Sequence, residues 1–203
     1  MTEATVATQD ERRAATRAAL VEAALDCLVD LGVAGTTTSA VCARAGVSSG
    51  ALFNHFPSKA ALLGAAAGQV LDAAVADYTA RFTEMAGASD DVLGDAVRLL
   101  WHTYAQPRLS AVLELFVAAR TDPDLAASID AVNAPHVVRV FEAAHRLLPE
   151  HARHPQFDAM VDLILAAVFG VALGIDAEAQ RKDRVETLVA VVRAQLGTPS
   201  PTP

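Results

Sequence analysis

The chain has 203 residues, 53% of them hydrophobic but only 5% aromatic, and a formal net charge of −8. That length admits one large core or a small domain joined to a larger one. Alanine, the strongest helix former, supplies much of the apolar share, which points to an all-α fold.

The longest uncharged apolar run, "LILAAVFGVALGI" at residues 163–175, falls short of the roughly 18 residues that span a bilayer. At the start, "MTEATVATQDERR" places acidic and polar residues where a secretory signal needs basic and then apolar ones. No membrane span is expected, and the cytoplasm is the expected location. Cys27 and Cys42 are the only cysteines, too few for a disulfide scaffold and without metal-ligand spacing, so both are expected as small core residues.

The charge is unevenly spread. Residues 12–60 carry Arg12, Arg13, Arg17, Arg44 and Lys59 against Glu22, Asp26 and Asp30, a net of +2, while residues 61–203 are acidic. A mildly basic N-terminal quarter on an acidic remainder keeps a nucleic-acid partner open.

From residue 10 to 31, Leu20, Ala24, Cys27, Leu28 and Leu31 recur at helical spacing among charged residues, and Gly32 and Gly35 end the stripe. "TTTSAVCARAG" at 36–46 reads as a short helix capped by Thr37 and stopped by Gly46, with Val41 and Cys42 inward. Ser48 caps a second short helix that buries Leu52 and Phe56 and ends before Pro57. Ser58 caps a third segment running from Lys59 to about Met85. Further helices are predicted at 90–105, 108–120, 124–148 (with a kink or break at Pro135), 156–177 and 182–196, and the tail "GTPSPTP" is expected to be disordered. The expected domains are 10–60, 61–197 and a disordered end at 198–203.

Two short helices joined by a glycine-containing turn at "AGVS" and resting on a first helix make a helix-turn-helix. In that motif the second helix enters the major groove by its N-terminal part, so its outward side chains must be small or polar. Ser48, Ser49, Gly50, Ala51, Asn54 and His55 meet the requirement. Gly50 and Ala51 leave room for the helix to approach, Asn54 can pair with an adenine edge, and His55 can donate to a base or a phosphate. The helix starts after Thr37 and Ser58 can receive phosphates through free backbone N–H groups, with Lys59 adding charge at the second.

Residues 12–63 resemble the DNA-binding domain of the TetR family of bacterial transcriptional repressors. The matching pattern is Gly32, Thr36 and Thr37, Ala45 through Ser48, Gly50, Leu52, Phe53, Phe56, Lys59 and Leu62. The resemblance implies that Thr38, Ser48, Ser49, Ala51, Phe53, Asn54, His55 and Lys59 occupy DNA-facing positions. Phe53 stands where the family usually has tyrosine, removing a hydroxyl that commonly reaches a phosphate, and Cys42 stands where alanine is usual.

For residues 64–203 the resemblance implies a helical body with a ligand pocket and a dimer interface. The all-round apolar 163–175 segment and the stripe Val185, Leu188, Val189, Val192 and Leu196 are the candidate dimer helices, pairing with their copies as a four-helix bundle, with ordinary packing inside the chain as the alternative for each. A two-fold dimer would set its recognition helices on successive major grooves of palindromic double-stranded DNA. Expected pocket residues are Trp101, His102, Tyr104, Phe116, Phe141, His145 and Phe169, with Trp101 and His102 foremost because each carries a polar group. The expected effector is a mostly apolar or aromatic small molecule. No cofactor is expected, and His151 and His154 are read as part of a solvated loop, not as metal ligands. An enzyme would need His102 or His145 as a base with Glu114 or Glu142, but no nucleophile elbow or phosphate loop accompanies them. The alternative within regulation is control by a protein partner.

Overall fold

A computed structural model describes residues 8–85, 90–174 and 177–197. Among these residues the regular elements are nine α-helices and one 3-10 turn at His151–Arg153. The helices are α1 (Gln9–Gly35), α2 (Thr38–Ala45), α3 (Ser49–His55), α4 (Lys59–Met85), α5 (Val92–Tyr104), α6 (Pro107–Ala119), α7 (Pro123–Leu147), α8 (Phe157–Leu173) and α9 (Glu178–Leu196). The fold is all-α, as composition indicated. The tail at 198–203 lies outside the described residues.

Local chemistry sets the ends. Thr8 opens α1 by a capping box: its side chain accepts from the Glu11 N–H at 3.2 Å, and the Glu11 carboxylate accepts from the Thr8 N–H at 2.6 Å. The signal is the T-x-x-E at residues 8–11, just upstream of the apolar stripe. Gly32, at φ 66°, breaks the regular helix inside α1. The next turn closes on it, since the fully buried Thr36 donates its hydroxyl to the Gly32 carbonyl at 2.7 Å. Asp122 caps α7 by accepting from the Leu125 N–H at 3.0 Å, with Pro123 in the first turn where no N–H is needed. Pro135 leaves α7 a single element. The eighth helix stops at Leu173 rather than near 177, because Gly174 is extended.

Packing divides the chain into two units. One holds the residues up to Gly68 together with Glu114–Val132; the other holds Gln69–Leu113 and the residues from Asn133 onward. The first unit therefore reaches past residue 60. Leu62, Leu63, Ala66 and Ala67 of α4 are buried, and a Cβ on Gly64 would lie 2.8 Å from the Ser128 carbonyl oxygen. Helix α4 is long and apolar enough to cross a membrane by length and composition alone. The burial of those side chains uses part of that apolarity inside the protein.

In the second unit Leu93 and Val97 of α5, Phe157 and Met160 of α8, and Val185, Val189, Val192 and Leu196 of α9 form one cluster. This corrects the expectation that the α9 stripe faces a second copy: these side chains are covered by α5 and α8 of the same chain. Helical periodicity reports that a face is buried, but not whose residues bury it. The α9 face left outside carries Thr187, Ala190, Val191 and Ala194.

An ionic network closes the rim of that cluster. Arg98 grips Glu186 with two parallel bonds of 2.8 Å and also donates to Asp91 at 2.9 Å, and Arg193 reaches the same Asp91 carboxylate. The bonds from Arg193, and then those from Arg98, hold the Asp91 carboxyl well below the usual carboxylate range. Asp91 also caps α5, accepting from the Gly94 N–H at 3.2 Å.

Candidate nucleic-acid interface and effector cavity

In the first unit, α2 and α3 form the predicted motif. Thr37 caps α2 by accepting from the Ala40 N–H at 3.1 Å, and Gly46 ends it in the left-handed conformation at φ 68°. Two residues later Ser48 caps α3, accepting from the Ala51 N–H at 3.2 Å. The tight turn follows from this sequence of stop, spacer and start. Val41 and Cys42 of α2, Leu52 of α3 and Phe56 at its C-cap are buried, as are Leu20, Leu25 and Leu28 of α1, and the three helices contact one another. The Arg17 guanidinium lies 4.9 Å from the centre of the Phe56 ring, a cation–π contact between α1 and the end of α3. Arg44 pairs with Asp30 at 2.7 Å, tying α2 to α1.

With Leu52 and Phe56 inward, the opposite face of α3 is outward. Ser48, Ser49, Gly50, Phe53 and Asn54 are exposed; Ala51 and His55 are half-buried. Phe53 has half of its surface open to solvent. Thr37 is exposed, while Thr38 and Lys59 are half-buried beside their helix starts. Ser58 caps α4 by accepting from the Ala61 N–H at 3.1 Å.

The second unit contains an apolar cavity of about 90 Å³. Ala74, Val75 and Tyr78 of α4, Ala96, Val97 and Leu100 of α5, Val140, Ala143 and Leu147 of α7, and Val161, Ile164 and Leu165 of α8 form most of its wall. Its polar lining comes from Tyr78, Thr103, Tyr104 and His136. Two of these hydroxyls are spent on the backbone: Tyr78 donates to the Ala96 carbonyl at 3.1 Å and Thr103 to the Leu99 carbonyl at 2.9 Å. Burial pushes the Tyr104 phenol up to about 12 and raises that of Tyr78 further, so both stay protonated at neutral pH.

Comparison with known proteins matches residues 20–66 to the N-terminal domain model of the bacterial regulatory proteins of the TetR family. Over nearly its whole length, 93% of this chain and 98% of the relative, the chain is 31% identical to an uncharacterized HTH-type transcriptional regulator of Mycobacterium tuberculosis. The chain belongs to the TetR family of bacterial regulatory proteins. Membership makes it a DNA-binding transcriptional regulator, not an enzyme. It is also 35% identical to the HTH-type transcriptional regulator CymR of Pseudomonas putida over 58% of each chain. Among solved structures, a TetR-family regulator from Pectobacterium atrosepticum shares the fold with a TM-score of 0.68 at 23% identity, covering 96% of this chain and all of that one. The multidrug binding protein EbrR, solved in complex with imidazole, shares it with a TM-score of 0.63 at 23% identity, covering 87% and 94%.

In this TetR-family chain the residues expected to face DNA gather on the α2–α3 motif and the start of α4. The seven expected pocket residues do not gather. Tyr104 lines the cavity. Trp101 packs on the α5–α8–α9 cluster, and His102 is exposed on the other side of α5. His145 is on the surface, its Nε2 2.7 Å from the Asp158 carboxylate and its ring edge-on to Phe157. Phe141 and Phe169 are half-buried outside the cavity wall, and Phe116 belongs to the first unit. Size and aromaticity did not single out the cavity wall, because an aromatic at helical spacing meets whichever neighbour its helix packs against. Sequence reading passed over His136 and Thr103. A signal for His136 exists: it heads the stripe His136, Val140, Ala143, Ala144 and Leu147, a polar residue in register with the apolar face of its helix.

Proposed function

We propose that this regulator is an effector-responsive repressor that works in the cytoplasm as a homodimer on a palindromic operator. One observation carries the reading. Helix α3 is held by the buried Leu52 and Phe56 while its other face presents small and polar groups and an exposed Phe53 to solvent. In this reading Asn54 reads a base edge and His55 a base or phosphate. Ser48, Ser49, Gly50 and Ala51 let the helix sit close to the bases, Phe53 packs on the duplex, and Thr37, Thr38 and Lys59 hold the flanking backbone.

Dimerisation is supported by α8. Ala159, Leu163, Ala166 and Gly170 recur along its exposed face, Leu163 is 52% exposed, and the space beside Gly170 is open. With Ala190, Val191 and Ala194 of α9, this gives two outward apolar faces of the kind that pair across a two-fold axis. Effector control is supported by the cavity. At about 90 Å³ it is smaller than the several hundred Å³ usual for ligand sites. A bound molecule must therefore spread α4, α5, α7 and α8, and that differential strain is what shifts the population away from the DNA-binding form.

The test is a gel shift with DNA upstream of the chain's own gene, alongside binding-site selection from random duplexes. Salt-sensitive, sequence-specific binding to a palindrome is expected, lost in the double variant Asn54→Ala, His55→Ala. Absence of specific binding to either DNA source would remove the operator reading.

A further inference from the structure

The cavity wall includes a histidine whose hydrogen-bonding capacity the described residues do not use. His136 is 6% exposed, and its Nδ1 is buried with no hydrogen-bond partner among the described residues. Buried polar atoms are almost always paired, and the His136 ring lines the cavity, so hydrogen-bonding capacity that the fold leaves unused lies beside a molecule that enters. Tyr78 and Thr103 already spend their hydroxyl protons on backbone carbonyls and keep only acceptor capacity toward the cavity.

Charge narrows what enters. Among the described residues, no Lys, Arg, Asp or Glu lines the cavity. Burial first, and the positive charge of Arg139 second, outweigh the opposing effect of Asp72 and favour the neutral imidazole of His136. A neutral imidazole offers one donor and one acceptor but no charge. An ionised carboxylate or ammonium placed here would lose its hydration and meet no counter-ion, which costs far more than one hydrogen bond returns. Arg139 does not serve as that counter-ion, since it is engaged with Asp72 and faces a separate groove with Thr79, Thr83 and Arg146.

We propose that the effector is an uncharged, largely apolar molecule bearing a single hydroxyl of the phenol or alcohol type, and that His136 recognises that hydroxyl. The proposal rests on the effector-binding reading above and sets its chemical class. The hydroxyl completes the bond that His136 lacks, the Tyr104 phenol offers a second partner on the same wall, and the rest of the molecule lies among Ala74, Val97, Val140 and Ile164.

The test uses the full chain and three probes that share one ring: toluene, p-cresol and p-toluate, measured by titration calorimetry. Binding of p-cresol at least fivefold tighter than toluene is expected, with no detectable binding of p-toluate. His136→Leu, which keeps the volume and removes both nitrogens, is expected to reduce p-cresol to the level of toluene while leaving toluene within twofold. In the unaltered protein the His136 ring nitrogens are expected to shift in nitrogen NMR with p-cresol and not with toluene, a readout that does not depend on a variant folding. Equal binding of toluene and p-cresol, a preference that survives His136→Leu, or unmoved His136 nitrogens would overturn the role of His136 and leave the effector site standing. Tightest binding of p-toluate would overturn the uncharged class. Failure of all three probes would overturn both this proposal and the effector reading of the cavity.

Discussion

Gly50 allows folding and DNA binding to be pulled in opposite directions. It lies in the first turn of α3, one residue after Ser49, and a Cβ placed there would meet only the Ser48 Oγ, at 3.8 Å. That is ordinary contact, and the position does not have a positive φ. Gly50→Ala therefore introduces no clash and removes backbone freedom from the unfolded chain, a gain of about 0.5 kcal/mol for a helical site near an end. Gly50 is exposed, so the side chain of Gly50→Leu should extend into solvent and leave stability within about 0.5 kcal/mol. Against DNA the effect reverses. The added side chain stands between the start of α3 and the groove floor, and losing even one base-edge contact costs about 1–3 kcal/mol. Operator affinity should fall roughly tenfold or more for leucine and less for alanine. Urea denaturation followed by fluorescence anisotropy on the selected operator measures both quantities on the same samples. If Gly50→Leu folds and binds with wild-type affinity, the start of α3 does not face DNA. A clear loss of stability in Gly50→Ala would instead mean that the position is packed.

Other perturbations address the remaining parts. Asp91→Ala removes a helix cap and the shared carboxylate of Arg98 and Arg193, and should destabilise the chain by about 2 kcal/mol in urea. The pH dependence has a definite sign. Arg193 and Arg98 lower the folded-state pKa of Asp91, so its contribution is full above the unfolded value, about 3.9, and is lost as the pH falls below it. Asp91→Asn should therefore flatten the acid side of the stability profile, and an unchanged acid limb would show that the network is solvated away. Phe53→Tyr restores a hydroxyl at an exposed ring and should raise operator affinity about threefold to tenfold, the value of one net hydrogen bond, with no change in melting temperature. Leu163→Glu puts a charge on the open face of α8 and should yield a folded monomer in analytical ultracentrifugation. A dimer that persists would place the interface elsewhere.

Much of the fold was legible in the sequence because its signals are local. Thr37, Ser48 and Ser58 cap the helices expected of them, Gly46 turns the chain, and Leu52 with Phe56 decides which face of α3 is buried. Each result depends on residues within about one helical turn, where hydrogen-bond geometry and steric exclusion leave few alternatives. The helix-turn-helix could be read for that reason. The body of the second unit could not, because its outcomes depend on which helices meet. Val185, Val189, Val192 and Leu196 form the same stripe whether α5 or a second copy covers them, and only the packed chain shows that α5 and α8 do. Trp101 and His145 looked like pocket residues by chemistry, yet the rotation of α5 and α7 turned the one to the core and the other to the surface. The same rotations brought His136 to a cavity wall. The sequence by itself determined the helices, their caps and the outward face of α3, since these follow from neighbours along the chain. Tertiary structure alone decided that the His136 Nδ1 was buried without a partner, since that depends on every surface packed around it.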